Sequence, residues 1–208
     1  MTQETFTLNL EDVRKIGIYL FPLAEELDFV GVYEVLASVK TLVDEGLLDT
    51  PDPIQVEIFS PHRTIECANR MIVKPHIVTD DPSRYDFVIV PGGKGIRGVM
   101  DDEQMLRRLR EFSEKNPVCS VCTGALILGA AGILEGKKAA THQSVKKELA
   151  KYATVTDDRV VLDGRVITAA GVASSIPLGL RLLQVIHGHD VAEFVADELE
   201  IPSSLRTE

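Results

Sequence analysis

The sequence is short of cysteine, with three in 208 residues. That excludes a disulfide scaffold and leaves one thiol over whatever the pairing. Long apolar runs are missing as well: no stretch reaches the roughly 18 residues that span a bilayer. The N-terminal MTQETFTLNLED is acidic, where a signal peptide is basic and then apolar. Basic residues are outnumbered, 22 against 32 acidic, for a net charge of −10. This balance argues against broad binding to nucleic acid or to an anionic membrane. Repeats and low-complexity linkers are absent too. With 45% hydrophobic and 26% charged residues, the composition is still that of a folded chain. We expect a single cytoplasmic domain over residues 1–208, with its core at about residues 14–195.

What is present is an alternation of two periods. Lys15–Phe21 (KIGIYLF) is a short apolar run stopped by Pro22, and it reads as a strand. Leu27, Val30, Val35, Val39 and Val43 then recur at helical spacings up to Gly46. Pro51 and Pro53 precede a second strand over Ile54–Ser60, and Met71–Lys74 reads as a short one ended by Pro75. Tyr85–Val90 (YDFVIV) is the clearest buried strand, halted by Pro91-Gly92-Gly93. Asp101–Lys115 predicts a charged helix with Met105, Leu109 and Phe112 on one side. After the apolar Pro117–Val121, the pattern predicts a buried helix over Ala125–Ile133, a brief strand over Ala139–Thr141 and a helix over Ser144–Tyr152. Val160–Leu162 and Val166–Thr168 flank Asp163-Gly164, a pair suited to a tight primed turn, and predict a hairpin. Helices over Ser175–Ile186 and Val191–Leu199 follow. The alternation predicts an α/β fold with a mostly parallel sheet covered on both faces. Ligand sites in such sheets gather beyond the carboxyl ends of the strands. Attention therefore falls on Pro22–Asp28, Pro91–Gly98, Cys122–Thr123 and His142.

Cys122 sits where a strand passes into a buried helix, close to free N–H groups that favour a thiolate. We expect its pKa to be pulled below that of a free thiol, making it a nucleophile that needs no strong base. The turn resembles the G-x-S-x-G nucleophile elbow, with Ser120 in the place of the first glycine. Packing as a small buried hydrophobe is the alternative. Cys119 and Cys122 also form a literal C-x-x-C. In an extended strand, however, that offset separates the α-carbons by roughly 10 Å, too far to bridge. With no second pair for a tetrahedral metal site, Cys119 and Cys67 read as packing residues.

Among Glu25, Glu26 and Asp28, the apolar neighbours Leu27 and Phe29 single out Asp28. Turned inward, its pKa would rise, and as a protonated acid it could hydrogen-bond a Cys122 thiolate and donate a proton. A helix-terminal acid is the plain alternative. His142 follows a short strand and would either orient or deprotonate the thiol or cap the next helix. His187 and His189 flank a helix break at Gly188, where they read as structural; His62 and His76 have no evident metal partner. Pro91-Gly92-Gly93-Lys94-Gly95 lacks the P-loop order, so nucleotide binding is not expected. Its better use is a bare Gly93 N–H aimed at developing negative charge, with the Thr123 N–H as a second donor. We expect neither a cofactor nor a metal.

Four segments in order, IGIYLFPLAEELDFVGVYEVLA, FVIVPGGKGIRGVM, SVCTGALILGAAGILEGKKAATH and VITAAGVASSIPLGLRLL, resemble the DJ-1/PfpI superfamily over roughly residues 14–195. The resemblance implies a flavodoxin-like three-layer sandwich akin to the class I glutamine amidotransferases, usually dimeric, with a reactive elbow cysteine and an acid after the first strand. Within it, the chain looks most like the isocyanide hydratases and the amidase-like sensor domains of transcription regulators. They share Phe21-Pro22, Leu27-Asp28-x-x-Gly31, Cys122-Thr123-Gly124 and Ala140-Thr141-His142. Carried over, Asp28 is the acid, Cys122 the nucleophile and Thr123 its neighbour. Gln143 stands where that branch commonly has tryptophan, and Pro177 where it commonly has aspartate; both departures are expected to touch the pocket or its supporting shell. Too few residues follow the core for the regulators' helix-turn-helix module.

The resemblance thus implies a small electrophilic substrate, with hydration of an isocyanide to an N-substituted formamide as the leading activity. A glyoxalase- or deglycase-like enzyme acting on 2-oxoaldehydes is the alternative, although that branch usually carries glutamate at the Asp28 position. A non-enzymatic oxidative-stress sensor working through Cys122 is the third.

Overall fold

The computed structural model describes residue 10, residues 12–50 and residues 53–206. Most of the acidic N-terminal leader, Pro51 and the last two residues of the tail lie outside these. The first strand, β1 (Lys15–Tyr19), is buried at every position after Lys15, as a parallel strand between two helical layers must be. Its start is fixed by the Asp86 carboxylate, which accepts from the N–H groups of Arg14 at 3.0 Å and Lys15 at 2.8 Å. The helix α1 (Glu26–Asp44) follows and buries Phe29, Val32, Val35, Leu36, Val39 and Leu42 along one stripe. Next come β2 (Gln55–Ser60), the small antiparallel pair β3 (Ile65–Glu66) and β4 (Ile72–Val73), and the edge strand β5 (Ile77–Val78). Then follow β6 (Phe87–Val90), α2 (Ile96–Met100), α3 (Glu103–Ser113), β7 (Val118–Val121) and α4 (Ala125–Ala130). The chain continues through β8 (Lys138–Ala139), α5 (Lys146–Leu149) and β9 (Thr154–Val155). It finishes with the hairpin β10 (Val160–Asp163) and β11 (Val166–Ala169), α6 (Ser175–His187) and α7 (His189–Glu198).

The seven-stranded sheet runs β10-β11-β7-β6-β1-β2-β5 and is parallel except for the β10–β11 hairpin. One helical group packs α1, α6 and α7 together, and the other gathers α2, α3, α4 and α5. This is the mostly parallel, doubly covered sheet that the alternation predicted and the flavodoxin-like sandwich that the resemblance implied. Among the described residues no helix is long and apolar enough to cross a membrane.

Differences from the sequence reading have local causes. The strand expected from Tyr85 begins at Phe87, because Tyr85 closes a 3-10 turn over Pro82–Arg84. The helix expected to Ile133 stops at Ala130, and Gly132, with φ of 77°, turns the chain. Ser144–Tyr152 splits into a 3-10 turn at Gln143–Val145 and the four residues of α5. The short elements β3, β5, β9 and α2 span two to five residues and carry no legible period.

Strand order places the chemistry. β1 pairs with β2 on one side and β6 on the other, and β6 pairs in turn with β7. The chain therefore reverses its winding between β1 and β6, and the crevice beyond the carboxyl ends opens there. The segments leaving β1, β6 and β7 bring Asp28, Gly92 and Cys122 to that crevice.

Candidate active site

Cys122 leaves β7 with φ of 56°, in the left-handed region where a non-glycine residue is strained. Buried Thr141 helps hold it there: its hydroxyl donates to the Cys122 carbonyl at 2.7 Å. A 3-10 turn over Cys122–Gly124 then leads into α4. The elbow expected from the sequence is thus present, and the thiol is 5% exposed.

Asp28 lies in the first turn of α1 and is fully buried. Its Oδ2 accepts the Gly92 N–H at 2.8 Å, while Oδ1 has no conventional hydrogen-bond partner among the described residues. Burial pushes its pKa up to about 7; the Gly92 N–H opposes this, the Glu25 charge adds to it, and interaction with the Cys122 thiol opposes it. Asp28 is the buried acid that Leu27 and Phe29 implied. Glu25 and Glu26 are half-buried instead and hydrogen-bond the Asn69 amide, Glu25 at 3.1 Å and Glu26 at 2.7 Å.

The electrostatics of the thiol differ from expectation. Burial pushes the Cys122 pKa up to about 12, and the Asp28 charge pushes the same way. The Thr123 N–H and hydroxyl, which favour the thiolate, only offset part of this, and Glu25 adds a further upward push. The turn does offer donors, but a short helical start cannot outweigh the loss of water around the sulfur. The resting site therefore holds a thiol beside a carboxyl group that titrates near neutrality.

Gly93 also needs correcting. Its N–H donates to Thr123 Oγ1 at 3.0 Å, so it fixes the threonine rather than standing bare for an oxyanion. Gly92, one residue earlier, is the glycine packed against the acid and the elbow. A Cβ there would lie 2.5 Å from Thr123 Oγ1, 2.6 Å from Thr123 N and 2.9 Å from Asp28 Oδ2. Gly92→Ala is expected to cost about 1–3 kcal/mol in urea unfolding. It should also lower turnover by roughly 100-fold, because the acid and the elbow must move apart.

His142 takes up the capping role. Its Nδ1 lies 2.8 Å from Ser144 Oγ and accepts the Ser144 N–H at 3.3 Å, so the ring caps the next turn. Among the described residues it has no hydrogen bond to Cys122 or Asp28. The residue that supports the elbow from this segment is its neighbour Thr141, whose role no local sequence signal marked. Thr141→Val strands a buried carbonyl and is expected to cost about 1–3 kcal/mol by chemical denaturation, with lower turnover. Gln143 is exposed. Pro177 lines a separate cavity with Arg159 and Arg181, beside the β10–β11 edge, so that departure falls outside the thiol's surroundings. Cys67 and Cys119 are buried free thiols, and burial raises both. Among the described residues no three of His, Cys, Asp and Glu gather as a metal site.

A parallel sandwich with a cysteine strained into a left-handed elbow, and a buried acid delivered from beyond the first strand, defines a class of cysteine-centred α/β proteins. The family model described as "DJ-1/PfpI family" matches residues 14–185. The chain belongs to this family. It is 36% identical over 189 residues to an isonitrile (isocyanide) hydratase of Pseudomonas putida, covering 89% of this chain and 78% of that protein. It is 28% identical over 185 residues to protein DJ-1alpha of Drosophila melanogaster, covering 86% and 80%. Among solved structures, a ThiJ/PfpI family protein from Pseudomonas syringae superposes with a TM-score of 0.77 at 24% identity, covering 96% of this chain and 82% of that one.

Proposed function

We propose that the protein hydrates an isocyanide to an N-substituted formamide. The observation that carries this reading is the Cys122 thiol set against a buried Asp28 whose pKa is pushed up to about 7. The 36% identity to an isonitrile hydratase points the same way. An isocyanide carbon accepts a nucleophile and a proton at one atom, so its reaction asks for a thiol and a relay rather than a resting thiolate.

Asp28 as carboxylate takes the thiol proton while sulfur bonds to the terminal carbon, and then delivers that proton to the same carbon. The product is a thioimidate, R–N=CH–S–Cys122. Asp28, again a carboxylate, accepts a proton from water as the oxygen adds to the carbon and passes it to the nitrogen, giving R–NH–CH(OH)–S–Cys122. As the C–S bond breaks, the hydroxyl proton of this intermediate passes through Asp28 to the sulfur, restoring the thiol and the carboxylate, and R–NH–CHO leaves. The Thr123 N–H and hydroxyl, which favour charge on sulfur, ease both the attack and the departure.

The test is turnover of cyclohexyl isocyanide and an aryl isocyanide, followed by loss of the isocyanide infrared band and appearance of the formyl proton. In D2O the formyl position should carry deuterium. Failure with both compounds sinks the reading. A second reading, attack of the same thiol on a 2-oxoaldehyde, draws on the relatives that carry DJ-1 names; lactate formed from methylglyoxal without glutathione separates it. The sensor role is disfavoured by the raised thiol, because peroxide oxidises the thiolate.

A further inference from the structure

A cavity of about 520 Å³ opens beside the hairpin edge of the sheet and shares no lining residue with the thiol site. That volume lies in the range that holds small organic ligands. Its apolar wall comes from Val160 and Leu162 of β10, Ile167 of β11, and Pro177 and Val185 of α6. Its polar rim carries Arg159, Arg181, Arg206 and Asp158.

The three arginines are not equivalent. Arg206 is more than offset by two carboxylates, Glu193 at 3.2 Å and Asp197 at 2.7 Å. Arg159 donates to the backbone carbonyl of Ser204 at 2.8 Å, and Arg181 donates to Gln184 Oε1 at 2.7 Å. Both of these acceptors are neutral, so they orient each guanidinium without cancelling its charge. Among the described residues neither Arg159 nor Arg181 forms an ion pair. Two directed, uncompensated guanidiniums above an apolar wall form an anion site with a hydrophobic extension, in a chain whose net charge is −10.

We infer that this cavity binds a monoanionic amphiphile: an organic carboxylate with an apolar body on the order of ten carbons. The carboxylate meets Arg159 and Arg181, and the body lies along Val160, Ile167 and Pro177. Asp158 on the same rim offsets part of the charge of Arg159 and Arg181, which suits a monoanion better than a dianion. The planar guanidinium fork also matches the two oxygens of a carboxylate.

The probes are decanoate, decanol and decyl phosphate, titrated into the full chain by calorimetry, with backbone amide shifts mapped by NMR. Decanoate should bind one per chain and shift Val160, Ile167 and Val185 while leaving Asp28 and Cys122 in place. Decanol and decyl phosphate should each bind at least tenfold more weakly. The double variant Arg159→Gln, Arg181→Gln, which breaks no ion pair, should keep its melting temperature and bind decanoate at least tenfold more weakly. Leu162→Trp, which fills the cavity mouth, should weaken all three probes. The inference is overturned by any of four results: no saturable decanoate binding, decanol binding equally well, shifts centred on Cys122, or probe binding coupled to self-association through this edge.

Discussion

Cys122→Ala is expected to abolish isocyanide turnover, by at least about 1000-fold, while changing stability by no more than about 1 kcal/mol. Rate and fold separate here because the side chain contributes little packing but the entire covalent step. Alanine keeps a Cβ, so the φ of 56° costs the variant what it costs the native chain. Cys122→Gly removes that strain and should unfold at a higher urea concentration than Cys122→Ala while being equally inactive. Cys122→Ser should be inactive too, since a hydroxyl is a far weaker acid than a thiol and Asp28 cannot deprotonate it. Alkylation gives an independent measurement. With the thiol pushed up to about 12, iodoacetamide at neutral pH should modify Cys122 slowly, and the rate should climb with pH. Rapid alkylation at pH 6 would contradict the buried-thiol description. Turnover surviving in Cys122→Ala would remove the sulfur from the mechanism.

The sequence carries the parts of this site but not their electrostatics. Asp163-Gly164 and the runs around Ile18 and Ile89 announce the hairpin and the central strands, because turn chemistry and burial on both faces leave local marks. Cys122 and Asp28 are legible as residues just beyond strands, and the resemblance to the family sharpens both. Which glycine meets the acid is not legible: Gly92 and Gly93 are adjacent and neither has room for a Cβ, but Gly92 is crowded by Thr123 and Asp28 and Gly93 by Leu23, Ala24 and Glu25. His142 is ambiguous for a related reason. A histidine after a strand serves equally to orient a thiol or to cap a helix, and the bonds to Ser144 show the capping role. The thiol pKa departs from the local expectation because N–H donors at the turn are visible in the sequence, whereas the water excluded on folding is not. Burial depth is a tertiary quantity, and here it outweighs the local field. Arg159 and Arg181 show the same limit, because their neutral partners Ser204 and Gln184 emerge only on folding.

Asp28→Asn should lower turnover by at least about 1000-fold, because asparagine can still accept the Gly92 N–H but cannot carry a proton between sulfur and carbon. The pH dependence then tests the assignment twice. In the native chain the carboxyl must be ionised to take the thiol proton, so kcat/KM should rise through about pH 7 to a plateau, following the raised Asp28 pKa. Any residual activity of Asp28→Asn should lack that limb. Stability moves in the opposite direction. The folded pKa of about 7 lies above the 3.8 of a free aspartate side chain, so the folded state binds the proton more tightly than the unfolded chain. The resulting stabilisation is complete below about pH 4 and is lost as pH rises through 7, by at most about 4 kcal/mol. Titrations common to both proteins cancel in the difference between native and Asp28→Asn unfolding free energies, so that difference isolates the carboxyl group. The native chain should therefore lose ground to Asp28→Asn between pH 4 and pH 8 in urea unfolding, while its own kcat/KM increases over the same interval. A flat stability difference would mean that Asp28 is solvated and ordinary. A stability change without the matching activity limb would mean that it is buried but idle. Only the two together tie the ionisation that weakens the fold to the proton transfer that uses it.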